Sequence, residues 1–161
     1  MSPLSESQVR RSFVNLTAGE AKRANLPGDL ATRSWDQLDY LGWRDPKSPQ
    51  RAYLVVERAA GVCGVGLRRS TQPAGPRKTM CSLCLTVGDV ALMVAPRAGR
   101  SGLAGNSVGT YICADLVCSL YARDLLRTGD AIAYETLGVE QKVARLRANL
   151  DAFIGRVVGP R

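Results

Sequence analysis

Two stretches decide the fold: Cys81-Ser82-Leu83-Cys84, and Gly109-Thr110-Tyr111-Ile112-Cys113-Ala114-Asp115-Leu116-Val117-Cys118. The first is a C-x2-C step and the second closes on a C-x4-C step, with residues 85–112 between the two pairs. Thiolates hold zinc tetrahedrally at about 2.3 Å, and a set of four closes the coordination sphere and leaves no position for a substrate. Cys81, Cys84, Cys113 and Cys118 are therefore read as the ligands of one structural Zn²⁺, in a module whose metal organises the chain rather than catalyses.

The residues around the cysteines give the module its shape. Val90-Ala91-Leu92-Met93-Val94 reads as a strand, residues 95–102 as a flexible basic turn, and Val108-Gly109-Thr110-Tyr111-Ile112 as the returning strand. From Ala114 to Leu126 the apolar positions Leu116, Val117, Leu120, Tyr121 and Leu125 follow helical spacing. The order is knuckle, strand, turn, strand, helix, which is the layout of a treble-clef zinc finger. Cys118 falls in the first helical turn, where the positive dipole end suits a thiolate. Four thiolates around Zn²⁺ leave a net charge of −2, which Lys78 and Arg123 are placed to offset. A thioredoxin-type C-x-x-C should open a helix, but Leu85-Thr86-Val87-Gly88-Asp89 is a poor helix start. A nucleobase deaminase needs H/C-x-E ahead of P-C-x-x-C, but Met80 precedes Cys81 and Cys63-Gly64-Val65 lacks the glutamate.

Upstream, Ser5-x-x-Gln8 and Thr17-x-x-Glu20 are capping boxes that predict two helical pieces over residues 5–26, stopped by Pro27-Gly28. Ser34-x-x-Gln37 predicts a third, carrying Trp35, Leu38 and Leu41 on one face and closed by Gly42 and Asp45-Pro46. Tyr53-Leu54-Val55-Val56 predicts a strand with Val62 to Leu67 as its hairpin partner and the turn near Ala59-Ala60-Gly61. Gly61, Gly64 and Gly66 have the wrong spacing for a dinucleotide fingerprint. Cys63 stands apart from the pairs and reads as a small buried hydrophobe rather than a functional thiol. Residues 68–80 read as a basic loop. A last helix is predicted over 138–156, with Val139, Val143, Leu146, Leu150 and Phe153 as its apolar stripe and Lys142, Arg145 and Arg147 off it. The fold class is α+β: short N-terminal helices, a small antiparallel sheet, a treble-clef zinc finger and a C-terminal helix. The expected division is an α/β part over 1–75 and the finger with its C-terminal helix over 76–161, packed as one compact unit.

A chain of 161 residues, 45 % hydrophobic and 22 % charged, is of ordinary globular composition. No apolar run reaches the ~18 residues of a membrane span. The first residues, Met1 to Glu6, lack the basic and apolar regions of a secretory signal. A cytoplasmic, reducing compartment is the expectation, where cysteine pairs signal metal rather than disulfides. The net charge of +8 favours a polyanionic partner: RNA, a ribosome or an acidic protein face. The absence of histidine removes Ser-His-Asp, Cys-His and HExxH chemistry.

Cys81-Ser82-Leu83-Cys84, then Gly109-Thr110-Tyr111-Ile112-Cys113-Ala114-Asp115 with Cys118, resembles the C-terminal zinc-finger domain of the FusB-type elongation factor G-binding proteins. Leu41-Gly42-Trp43-Arg44-Asp45-Pro46 and Tyr53-Leu54-Val55 are similar to the α/β part that precedes that finger. The resemblance implies Cys81, Cys84, Cys113 and Cys118 as metal ligands, and docking on elongation factor G through the finger. In that family, docking promotes release of the factor from the ribosome and can confer fusidic acid tolerance. FusB-type proteins also carry an N-terminal helical bundle. Only about 50 residues precede the strand at Tyr53, so a full bundle is not expected, which bears on drug tolerance more than on factor binding.

The leading expectation is a non-enzymatic protein that binds the translation machinery, with elongation factor G or the ribosome as partner and neither a membrane nor a small-molecule substrate. Candidate contact residues are Leu83 and Leu85 at the knuckle, Arg97 and Arg100 in the turn, and Tyr111. Direct binding of RNA, rRNA included, is the alternative: from 68 to 100 there are six positive residues (Arg68, Arg69, Arg77, Lys78, Arg97, Arg100) and one negative (Asp89). A dithiol redox protein is the weakest reading.

Overall fold

The computed structural model describes residues 1–71, 77–129 and 135–159. The boundary expected at 75/76, and residues 72–76 of the expected basic loop, lie outside the described residues.

The two helices expected at the N-terminus are α1 (Glu6–Ser12) and α2 (Ala18–Arg23), each opened by its capping box. Ser5 Oγ accepts the Gln8 N–H at 3.3 Å while Gln8 Oε1 accepts the Ser5 N–H at 2.8 Å, and Thr17 and Glu20 repeat the exchange at 3.2 and 2.9 Å. Each cap satisfies orphan donors worth about 1 kcal/mol. Arg10 Nη1 then donates to the carbonyls of Ala21, Lys22 and Ala24, tying α1 to the end of α2.

The third expected helix is corrected. Ser34 makes no side-chain cap, and only Trp35–Gln37 forms, as a single 3₁₀ turn. Leu41 to Asp45 are instead strand β1 (Leu41–Asp45). It pairs antiparallel with β2 (Ser48–Arg58), placing Trp43 opposite Tyr53 with ring centroids 4.9 Å apart. Cross-strand aromatic pairing and burial outweigh a weak local helix signal. Asp45 closes a turn, not a helix: its Oδ1 accepts the N–H groups of Lys47 and Ser48 at 2.9 and 3.1 Å.

β3 (Gly61–Arg69) forms the expected hairpin with β2. A second correction follows: Arg77–Met80 is strand β4 rather than loop, antiparallel to β5 (Val87–Pro96). A third lies in the expected flexible turn, where Gly99–Leu103 forms a short helix, α3, before β6 (Ser107–Cys113). The helix expected from Ala114 is shorter, α4 (Cys118–Ala122); the long C-terminal helix α5 (Val139–Val158) is as expected. The fold is α+β around one antiparallel sheet, ordered β1-β2-β3-β5-β4, with β6 also pairing β5.

The sheet is covered on both faces, which is why Tyr53 to Val56 show no polar alternation. Ala52, Leu54, Val56, Val65, Met93 and Ile112 share one core with Leu146, Leu150, Phe153 and Ile154 of α5. Leu41, Trp43, Tyr53 and Val55 face the N-terminal segments, with Val9 and Trp35. The second cysteine turn approaches β1 closely at Gly42, where a Cβ would lie 2.6 Å from the Tyr40 ring and 2.9 Å from the Leu116 carbonyl oxygen.

One buried charge spans the chain. The Asp39 side chain is 0 % exposed and receives Arg123 of the segment after α4 and Arg147 of α5, the latter at 2.8 Å. Burial opposes ionisation of Asp39, but the bonds from Arg123 and Arg147 hold its carboxyl below the usual carboxylate range. Removing one partner from a buried ion group costs about 3–5 kcal/mol. Asp39→Asn is expected to lower stability by about that amount at pH 7. A depressed carboxyl contributes stability above its unfolded value near 3.9 and loses it as pH falls through the folded value. The gap between wild type and Asp39→Asn in urea denaturation should therefore stay constant at neutral pH and narrow below about pH 4; a gap independent of pH would contradict the assignment.

Candidate metal centre

The cluster is assembled from two turns. In the first, Leu85 N–H donates to the Cys81 carbonyl at 3.0 Å and Leu83 N–H points at Cys81 Sγ, 3.3 Å away. In the second, Leu116 N–H donates to the Cys113 carbonyl at 3.0 Å. Both turns close through a left-handed residue that is not glycine, Leu85 and Leu116, each with φ of 61°. Such backbone costs on the order of 1–3 kcal/mol per residue and persists only where its surroundings hold it. Each of these leucines lies within three residues of a ligand cysteine.

The four Sγ atoms lie within 4.8 Å of one another, with Cys81–Cys118 at 3.7 Å and Cys84–Cys113 at 3.6 Å. A tetrahedral site with Zn–S of about 2.3 Å separates its sulfurs by about 3.8 Å. All four cysteines are free and buried. Without a cation the thiols conflict. Hydrogen bonds from Cys113 and Cys118 hold Cys81 and Cys84 below the ordinary thiol range. The bond with Cys118 favours the Cys113 thiolate, but Cys81, Cys84 and burial outweigh it and push Cys113 up. Cys118 is also pushed up, by its bonds to Cys113, Cys81 and Cys84 and then by burial. A dication lets all four ionise together. The donor set, spacing and burial fit one structural zinc, held by Cys81, Cys84, Cys113 and Cys118.

Partners outside the ligand set fix the turns. Asn149 Nδ2 donates to the Leu83 carbonyl at 3.0 Å, and Arg145 Nη2 to the Cys84 carbonyl at 3.2 Å. These two residues are four apart on α5, so one helix face grips the knuckle. Tyr40 is fully buried and its oxygen accepts the Cys118 N–H at 3.3 Å; burial, then the Cys118 charge, raises its phenol well above its usual range. Arg123, read from sequence as an offset to the cluster, is committed to Asp39. Sequence reading missed Asn149, Arg145 and Tyr40 in these roles. The only signal available was that Arg145 lies off the apolar stripe.

The expected contact residues are spread out. Leu83 is 1 % exposed and belongs to the core inside the knuckle, so it presents nothing to a partner. Leu85 and Arg97 are half-buried, Arg100 is exposed on α3, and Tyr111 is 41 % exposed on β6. Cys63 is buried on β3 outside the cluster, and burial raises its thiol.

The family model described as the FBP C-terminal treble-clef zinc-finger matches residues 8–157. Among solved structures, one described as the fusidic acid resistance protein FusC is similar with a TM-score of 0.60 and 19 % identity, over 98 % of this chain and 60 % of that one. The chain thus spans about three-fifths of that relative. Comparison with curated protein sequences gives no match.

Since the metal closes two turns distant in sequence, Cys118→Ser is expected to reduce bound zinc from about one per chain and to lower the thermal midpoint by more than about 6 °C, in line with a loss above about 2 kcal/mol. Full zinc content with an unchanged midpoint would remove Cys118 from the ligand set. Gly42→Ala, which drives a methyl against the Leu116 carbonyl, should make zinc easier to strip with a chelator although it touches no ligand; unchanged chelator kinetics would show that this contact does not support the centre.

Proposed function

The chain belongs to the FBP C-terminal treble-clef zinc-finger family, and we propose on that premise that it is a non-enzymatic protein that docks on the translation machinery, with elongation factor G as its partner. The observation that carries the reading is the closed four-cysteine centre in a matched finger. A closed site offers rigidity rather than a reacting position, and a rigid head presents its surroundings for recognition at low entropic cost. The sequence resemblance to FusB-type proteins supplies the partner. The location proposed with that partner is the cytoplasm.

Of the candidate contacts, Tyr111 and Arg100 are the ones whose exposure suits them to docking; Leu85 and Arg97 offer part of their surface. Leu83 supports the knuckle from within. Aromatic and arginine side chains dominate interface energetics when a partner desolvates them.

The test is titration calorimetry of the zinc-loaded chain with elongation factor G. Binding is expected, and Tyr111→Ala should weaken it by at least tenfold, about 1.4 kcal/mol, with zinc content unchanged. No binding by the zinc-loaded wild-type chain would refute the proposal.

A further inference from the structure

The N-terminal segments cover only part of their face of the sheet. Phe13 packs tilted against the Tyr53 ring with centroids 5.5 Å apart, and Asn15, Leu16 and Glu20 form the border of the cover. Asn15 Nδ2 donates to the carbonyls of Gly66 and Pro96 at 2.9 Å each, and its Oδ1 accepts the Gly66 N–H at 2.8 Å. Leu16 lies over Gly66, where a Cβ would come within 2.5 Å of it. Just past this shelf, the β2–β3 register sets Arg51 directly opposite Arg68, and the β3–β5 register sets Arg68 opposite Val94. Arg51, Arg68, Tyr53, Asn15, Leu16 and Glu20 line one pocket at the edge of the cover.

Two like charges directly opposite across a strand pair repel and destabilise the sheet. Some arginines elsewhere are matched, Arg10 with Glu6, Arg33 with Asp29, Arg58 with Asp151, and Arg123 and Arg147 with Asp39, and others such as Arg44 and Arg156 lie on the surface without an ion pair among the described residues. Arg51 and Arg68 differ in facing each other across a strand pair at a pocket. Neither Arg51 nor Arg68 forms an ion pair among the described residues. Glu20 is the carboxylate lining the pocket; its Oε2 accepts the backbone N–H and the hydroxyl of Thr17 at 2.9 Å. Those bonds, then the charges of Arg51 and Arg68, hold it below the usual carboxylate range, so it offsets part of the pair's charge without forming an ion pair with either.

We propose that Arg51 and Arg68 form a phosphate-binding site at the mouth of this pocket. A carboxylate offers two oxygens, which one guanidinium fork already satisfies. Two forks on one site call for the three or four oxygens of a phosphate group. Such a group also screens the repulsion between the two cations. Its source is either a free phosphate compound or the backbone of a single-stranded RNA. The site lies apart from the zinc cluster and does not depend on elongation factor G as a partner.

The test uses zinc-loaded wild type, Arg51→Ala, Arg68→Ala and Arg156→Ala. Arg156 lies exposed on α5, on the opposite side of the sheet, and removes the same charge. Pyrophosphate is titrated by calorimetry, and a short single-stranded RNA by fluorescence anisotropy at several salt concentrations. A free-phosphate site predicts pyrophosphate binding that falls at least tenfold in Arg51→Ala and Arg68→Ala and is kept in Arg156→Ala. An RNA site predicts the same pattern for RNA, with the salt slope reduced by about one in each of the two pocket variants. Arg68→Lys should then keep the slope and lose affinity, because a point charge cannot replace a fork. Wild type that binds neither probe overturns the proposal. So do pocket variants that bind both probes like wild type, or an Arg156→Ala loss equal to theirs, which would mean diffuse charge rather than a site. Retained zinc and an unchanged or raised thermal midpoint in the pocket variants separate a lost site from a lost fold.

Discussion

Everything around the finger depends on four thiols being held too close for all of them to ionise together without a cation. Cys81 and Cys84 sit in one turn, Cys113 ends a strand and Cys118 opens a helix, yet their sulfurs meet within 4.8 Å. Burial removes the water that would solvate four thiolates, so the arrangement is stable only when a dication neutralises part of the charge. The strain at Leu85 and Leu116 belongs to the same constraint. Left-handed leucines are tolerated because the metal and the backbone bonds to Cys81 and Cys113 over-determine the turns.

The strands of the finger are part of the sheet, joined to β3 through β5. The knuckle itself is fixed by α5, whose apolar stripe packs into the core while Arg145 and Asn149 hold the knuckle carbonyls and Arg147 reaches Asp39. Asp39 lies just before Tyr40, whose oxygen meets the Cys118 N–H. Its backbone N–H is in turn bonded to Ser119 Oγ at 2.9 Å. The segment 39–42 is therefore the hinge of the assembly: it carries the buried charge, the phenol behind the ligands and the glycine that admits Leu116. Metal retention and the stability of the N-terminal layer are coupled through these four residues.

The division between what was legible in the sequence and what was not follows the range of the interactions. The ligand set was legible because each pair is local and four thiols at such spacing have few other uses. The caps of α1 and α2 were legible because each exchange closes within three residues. α5 was legible as a 3.6-residue apolar period. β1 and β4 were not, since each exists through pairing with a strand several residues further on, and the Ser34-x-x-Gln37 pattern imitated a cap whose bond never forms. The Asp39 group was invisible for the same reason: its arginines are 84 and 108 residues away. Leu83 was misjudged because a residue between two ligands can face either solvent or core, and only the position of α5 decides it.

The same geometry explains why the exposed chemistry collects where it does. The sheet is long, and α5 covers one face while the N-terminal helices cover only the β1–β3 end of the other. The remaining surface on that second side runs from the Arg51–Arg68 row across Val94 to β6, where Tyr111 stands opposite Leu92. A finger whose ligands are all buried can recognise a partner only through the surface its metal makes rigid. The uncovered sheet face is continuous with that surface, so a charged row and an aromatic side chain are held on one frame. Leu16, seated on Gly66, and Glu20 of α2 border the row without covering it, so the path of the N-terminal layer across β3 sets how much of the sheet face stays open.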